Sequence, residues 1–342
     1  MAENISADVN ELHCAWYLNG RKWTNGLGPE DEKIYNDRRA KLGKKPTELQ
    51  ARQLQAEKMA DEFLKWASLH GYTGVKKVYW TARSDFNYRT LPGKFSQLYV
   101  EESKNNPTDI LVEFRTSTRY ADPHLGLSAK SLLKTLTQEA PVKNPGMAKI
   151  ESFIGKPKVF QNILEQGISD AHNEFSIPYG TKYLNEAHCK KLKTAKDKAW
   201  IACTGKYVPQ ILGGCRDVLK TSLESMNDID VKMYILDELL DTDKLPKYVK
   251  VTGRSDANLS VVTATVDDPL NNAKYDALVK KNLPLSYEEL GGKTGYTIGV
   301  KAGNKQILQI RFKFSSTQLA TGMKMSVAPW PGSIDTQGIE SD

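Results

Sequence analysis

Apolar residues recur at helical spacing between Thr47 and His70, with Leu54, Met59, Phe63 and Trp66 on one stripe. Thr47 followed by Gln50 forms a capping box just after Pro46, and His70-Gly71 supplies a stop, so the pattern predicts a helix over this stretch. The period then shortens. Val75 to Ala82 is β-branched and aromatic and predicts a strand, followed by a polar loop from Arg83 to Lys94. After Asn105-Asn106-Pro107, the run Thr108 to Phe114 predicts a short apolar strand that opens at an acid, Asp109, and Leu125 to Lys130 predicts another. Residues 1–45 mix aromatics, glycines and a charged run and are expected to form a short capping segment.

From Tyr183 to Lys244 the text is helical, lysine-rich at first and acid-rich afterwards. Pro246 to Phe314 returns to strands: Tyr248 to Thr252, Leu259 to Val266, Tyr296 to Lys301 and Gln306 to Phe314, with a hairpin turn at Ala302 to Lys305. Leu308, Ile310, Phe312 and Phe314 share one face of the last strand, which leaves Arg311 and Lys313 on the other. The expected organisation is a core over 46–180, a helical region over 181–245, a β-rich region over 246–330 and a fraying tail over 331–342.

A chain of 342 residues suits two domains, or one core with a large insertion, and 39% hydrophobic residues exclude general disorder. No apolar stretch reaches the ~18 residues of a membrane span, and Met1 to Asn10 carries acids without an apolar segment, so a cytoplasmic location away from membranes is expected. Cys14, Cys189, Cys203 and Cys215 form no CxxC pair, which argues against a disulfide framework or a zinc site. A net charge of +7 suits a polyanionic partner. Gly292-Lys293-Thr294 is not a phosphate loop, since Tyr287 stands where a glycine is required and strand-like Tyr296 to Val300 follows where a helix is required.

The chemistry concentrates on Asp109 and Lys130. They stand at the start of one predicted strand and the end of the next, so pairing of neighbouring strands brings them together, with Ser128 and Lys130 on a common face. Metal-assisted cleavage of a phosphodiester needs carboxylates to hold a divalent ion and a cation beside the attacking water and the phosphate.

The order helix, strand, Pro107-Thr108-Asp109, then Ser128-Ala129-Lys130 resembles the PD-(D/E)XK nuclease superfamily over roughly residues 47–155. The resemblance implies a mixed α/β, restriction-endonuclease-like core, a mixed central sheet flanked by helices, with the helical and β-rich parts appended. Ser128 departs from the pattern, which usually has a metal-binding Asp or Glu there. Glu113 lies four residues along the strand from Asp109, about 13 Å away, too far to share one ion. In one branch of the family a serine occupies this position and a glutamate from the following helix replaces the acid. Glu151, in the helix predicted from Asn144-Pro145, is similar to that residue, with Glu139 the alternative. The resemblance further implies Mg²⁺, with Mn²⁺ the alternative ion, held by Asp109, Glu151 and the Ala129 carbonyl. Lys130 would orient water or neutralise phosphate, and Glu62 of the first helix would approach the same site.

Arg83, Phe86, Tyr88, Arg89 and Lys94 interleave aromatics with cations, as a loop touching bases or sugars would. Lys190, Lys191 and Lys193, and Arg311 with Lys313, are the further candidates for phosphate contact. The expected function is a Mg²⁺-dependent DNA endonuclease acting on double-stranded DNA, in the homodimer or higher homo-oligomer usual for serine-type relatives. The alternatives are a catalytically degenerate nucleic-acid-binding protein on a nuclease-like core, and a structural or interaction protein.

Overall fold

The computed structural model describes residues 5–82, 108–118, 122–138, 140, 144–240, 247–268, 273–280, 282–291 and 295–329. These divide between two units, each with its own sheet. The first draws on Met1–Ala140 and Asp241–Asn272, the second on Pro141–Leu240 and Ala273–Ile334.

The first sheet has the order β1-β2-β3-β4-β5, from β1 (Tyr72–Trp80), β2 (Ile110–Ser117), β3 (His124–Leu132), β4 (Tyr248–Ser255) and β5 (Val262–Asp267). All neighbours are antiparallel except β3 and β4, which run parallel, so the sheet is mixed. A parallel neighbour requires a long crossover, and the chain between Leu132 and Tyr248, which contains every helix from α4 to α8 described below, is that connection. This is why the predicted β-rich region over 246–330 is not one domain. Its first two strands complete the sheet begun by β1 to β3.

Alternation along the strands selects one buried face. Ile110, Val112 and Phe114 of β2, Leu125, Leu127 and Ala129 of β3, and Val249 and Val251 of β4 all join one core. Two helices close it, α1 (Ile5–Leu18) with Val9, Leu12 and Ala15, and α3 (Pro46–Leu69) with Met59 and Phe63; α2 (Pro29–Leu42) adds Tyr35 and Leu42. Burying each large apolar side chain contributes roughly 1.5–3 kcal/mol. Gly253 lets α3 approach β4, since a Cβ there would lie 3.0–3.1 Å from Gln55 and Met59 side-chain atoms.

The predicted helix over 47–70 is α3, but Thr47 does not cap it. Pro46 takes the first helical position, whose N–H needs no partner, and Lys45 at the N-cap makes no side-chain bond. The predicted capping segment is two helices. α2, from Pro29, is mostly charged and shows no apolar stripe, so hydrophobic pattern cannot reveal it. Its start is fixed by the Gly28 N–H donating to Asp31 Oδ2 at 2.9 Å.

The second unit packs α4 (Met147–Phe153), α5 (Val159–Phe175), α6 (Glu186–Thr194), α7 (Lys198–Ser225), α8 (Asp228–Tyr234, continuing as a π-helical turn over Ile235–Leu239) and α9 (Ala273–Val279) with an antiparallel sheet. Its strands are β6 (Leu285–Leu290), β7 (Thr297–Ala302), β8 (Lys305–Phe314) and β9 (Met323–Pro329), in that order. Phe160, Ile168, Ile211 and Leu219 from α5 and α7 meet Ile298, Val300, Ile310 and Phe312 from the sheet. The predicted hairpin turn is present, with Gly303 at φ 57° between β7 and β8. No helix among the described residues is long and apolar enough to cross a membrane.

Candidate active site

Asp109 lies one residue before β2, and its backbone is held from both sides. Its N–H donates to the Leu127 carbonyl of β3 at 3.0 Å, and its carbonyl accepts from the Thr81 N–H, just past β1, at 2.9 Å. Gly126 makes this corner possible. A Cβ there would stand 2.5 Å from Thr108 Oγ1 and 2.9 Å from Tyr248 Cβ, so any other residue would push Thr108, and Asp109 with it, away from β3.

The antiparallel register then delivers three donors to one oxygen. Asp109 Oδ2 accepts from the Ala129 N–H at 2.8 Å, the Lys130 ammonium at 3.1 Å and the Ser128 hydroxyl at 3.3 Å. Residues 21 apart in sequence are thus in direct contact, as the strand pattern predicts. Hydrogen bonds to a charged acceptor are stronger than neutral ones, and the pair is only partly solvated, with Lys130 27% and Asp109 19% exposed at their side chains. Ser128 is buried, and its hydroxyl supports Asp109 instead of contributing a second charge. Oδ1 of Asp109 accepts no hydrogen bond among the described residues, which leaves that oxygen for a cation.

The second acid at this site is Glu11, on α1. Its Oε2 accepts from the Trp80 indole N–H at 3.1 Å. Burial of the carboxyl, and next the charge of Asp109, push its pKa up from 4.5 to about 8, against the lowering effects of the Trp80 bond and Lys130. The residue as a whole is half-buried, so the carboxyl is screened from solvent but not sealed from it. Near neutrality, and without a cation, Glu11 holds its proton. Sequence reasoning passed over this residue because it lay in the supposed capping segment. The signal was present, though: Glu11 shares the i, i+3, i+4, i+7 stripe with buried Cys14, Ala15 and Leu18, and an acid on an apolar stripe calls for a partner.

Glu151, on α4, belongs to the second unit, and its Oε1 accepts from the Phe160 N–H at 2.8 Å. α5 begins after Lys158, which is left-handed at φ 61° and offers no side-chain cap, so Glu151 supplies the acceptor that the helix end lacks. That bond gives the Glu151 carboxylate, expected from the sequence to replace the motif acid, a partner within its own unit. Glu62 is paired with Lys58 along α3 at 3.4 Å. Glu113 is buried and pairs with Lys76 at 2.7 Å. Lys190, Lys191 and Lys193 are exposed on α6, with Lys190 bonded to Glu186 at 3.0 Å, and Arg311 and Lys313 are half-buried on β8. Glu139, and the loop with Arg83, Phe86, Tyr88, Arg89 and Lys94, lie outside the described residues.

No three His, Cys, Asp or Glu side chains among the described residues converge as a metal cage. Mg²⁺ does not require one, because it is commonly held by one or two carboxylates and keeps several of its waters. Asp109 and Glu11 are hard oxygen donors coupled through their charges, and Lys130 is bonded to Asp109. No protein-family model matches this chain, and comparison with curated proteins finds no match.

Proposed function

We propose that the first unit is a nuclease module that hydrolyses DNA phosphodiester bonds with Mg²⁺ or Mn²⁺, on a PD-(D/E)XK-like core in which Glu11 takes the place of the acid absent at Ser128. The observation that carries this reading is the coupling of Glu11 to Asp109 with Lys130 bonded to the same carboxylate. Coupled carboxylates repel when both are ionised, and a divalent cation would relieve that repulsion, with loss of the Glu11 proton. When bound, the ion would polarise the phosphate and lower the pKa of an attached water.

The chain's own residues divide the remaining work. Asp109 is fixed in orientation by the Ala129 N–H and the Ser128 hydroxyl, so its free Oδ1 is presented in one direction. Lys130 keeps one positive charge at the site before any cation arrives, and can exchange its bond from Asp109 to a phosphate oxygen as substrate enters. Glu11 would give up its proton to serve as a ligand, so ion affinity would rise with pH up to about 8.

Linear and circular duplex DNA incubated with Mg²⁺ tests the assignment. Wild type is expected to cut both, and Asp109→Asn, Lys130→Ala and added chelator each to abolish cutting. Ser128 and the direct Lys130 to Asp109 bond favour one competitor, a nucleic-acid-binding protein on a degenerate core. Wild type that binds duplex without cutting it under any divalent ion would establish that reading instead.

A further inference from the structure

In the first sheet, Ala129 of β3 and Val251 of β4 are register partners, and both join the core that the helices close. Alternation therefore turns Ser128, Lys130, Lys250, Thr252 and Arg254 onto the opposite face. There Thr252 lies directly opposite Lys130, on neighbouring strands about 4.7–4.9 Å apart. All of these residues belong to one unit.

Thr252 is 1% exposed, and its Oγ1 has no hydrogen-bond partner among the described residues. The neighbours that could satisfy it are engaged elsewhere. Thr265, opposite it on β5, accepts from the Arg254 guanidinium at 2.7 Å. Arg254 Nε and Lys250 Nζ, on the residues two before and two after along β4, donate to the Gln138 and Ala140 carbonyls at 2.9 and 3.4 Å, which lays Gln138 and Ala140 against this face. Lys130 is held by Asp109 Oδ2 at 3.1 Å. A buried hydroxyl left without a partner is destabilising, and one that stands opposite a site lysine calls for an explanation.

We propose that Thr252 is a positioning residue for Lys130: its hydroxyl accepts the Lys130 ammonium once a divalent cation takes over the Asp109 carboxylate. This rests on the reading of Asp109 as a cation ligand. Asp109 Oδ2 accepts from three donors, of which only Lys130 is charged. A cation on the same carboxylate repels the ammonium and weakens that bond first. Lys130 has three N–H donors on a flexible four-carbon stem. With one of them on Thr252, which is too buried for substrate to reach, the other two are held near the carboxylate for a phosphate oxygen.

The test is NMR of the Lys130 side-chain ammonium, in lysine-labelled protein with the resonance assigned by its absence in Lys130→Arg, during titration with Mg²⁺ of wild type, Thr252→Val and Thr252→Ser. Mg²⁺ is expected to move the resonance in wild type and Thr252→Ser without broadening it, because the ammonium gains a new acceptor. In Thr252→Val, which offers none, the resonance should broaden through exchange with water. Single-turnover cleavage of a linear duplex should fall about 10–100-fold in Thr252→Val, the scale of one hydrogen bond to a charged group, and recover in Thr252→Ser, with duplex affinity unchanged in both. In chelator, Thr252→Val should melt at or above the wild-type temperature, since it removes an unpaired buried hydroxyl and keeps the shape of the side chain; a lower melting temperature means that the hydroxyl already serves the cation-free fold and overturns the proposal. A resonance that responds to Mg²⁺ alike in wild type and Thr252→Val overturns the role of Thr252 and leaves the cation site standing. A wild-type resonance that Mg²⁺ does not move refutes the cation site, and the proposal with it. Wild type that shows the exchange but cuts no duplex supports the role of Thr252 and refutes the nuclease assignment.

Discussion

Replacing Glu11 by Gln keeps the shape of the side chain and an oxygen for the Trp80 indole N–H, but removes the carboxyl that burial and Asp109 hold protonated. Its pKa rises from an ordinary value of 4.5 to about 8 on folding. Below pH 4.5 both folded and unfolded chains carry the proton, and the contribution of Glu11 is fully present. Between these values the unfolded chain has released its proton and the folded chain has not, so stability falls as pH rises, by at most ~1.4 kcal/mol per pH unit. Above pH 8 the loss is complete and reaches a ceiling of ~5 kcal/mol; with the group partly open to solvent, roughly 2–5 kcal/mol is the working range. Urea denaturation of wild type and Glu11→Gln at intervals from pH 5 to 9, in chelator, isolates this effect because other titrating groups cancel in the difference. The variant should be close to wild type at pH 5 and more stable by those few kcal/mol at pH 9. Saturating Mg²⁺ at pH 9 should restore wild type relative to the variant, since only the wild-type site gains the second carboxylate for the ion. A difference that stays flat across pH, or a variant less stable at pH 9, would refute a buried, Asp109-coupled Glu11.

Gly126→Ala should cost 1 kcal/mol or more, about the scale of overpacking, and should reduce cleavage further than the unfolded fraction explains, because the new Cβ displaces Thr108 beside Asp109; denaturant midpoint and single-turnover rate read the two effects. Glu151→Ala should cost about 1–3 kcal/mol by leaving the Phe160 N–H without its acceptor; the measurement is loss of amide protection at the start of α5. Phe63→Ala removes a fully buried ring between α3 and the first sheet and should cost about 3–5 kcal/mol in a denaturant melt.

Elements with strong periodicity were legible in the sequence. The stripe of α3 and the alternation of β2, β3 and β8 locate those elements within a few residues, and the contact of Asp109 with Lys130 follows from their places on neighbouring strands. What pattern could not supply was partnership over distance. Nothing in the composition of Tyr248 to Val266 distinguishes a strand that completes the first sheet from one that belongs with β6 to β9. A mostly charged helix such as α2 has no stripe to read. The setting of Glu151 was hidden for the same reason. Glu151 satisfied the local rules for a helix after β3, but those rules do not specify which unit that helix joins, or that its carboxylate is needed at the end of α5. Glu11 precedes Asp109 by nearly a hundred residues, and only the packing of α1 on the first sheet places its charge beside that of Asp109.

The identity of the second acid is therefore the point to test. Mg²⁺-dependent cleavage of a linear duplex by Glu11→Gln and Glu151→Gln, normalised to the folded fraction of each, separates the two acids in one experiment. Glu11→Gln is expected to lose cleavage and Glu151→Gln to keep the wild-type rate per folded molecule. Cleavage retained by Glu11→Gln and lost by Glu151→Gln would contradict the assignment of Glu11 and return the missing motif acid to the helix after β3.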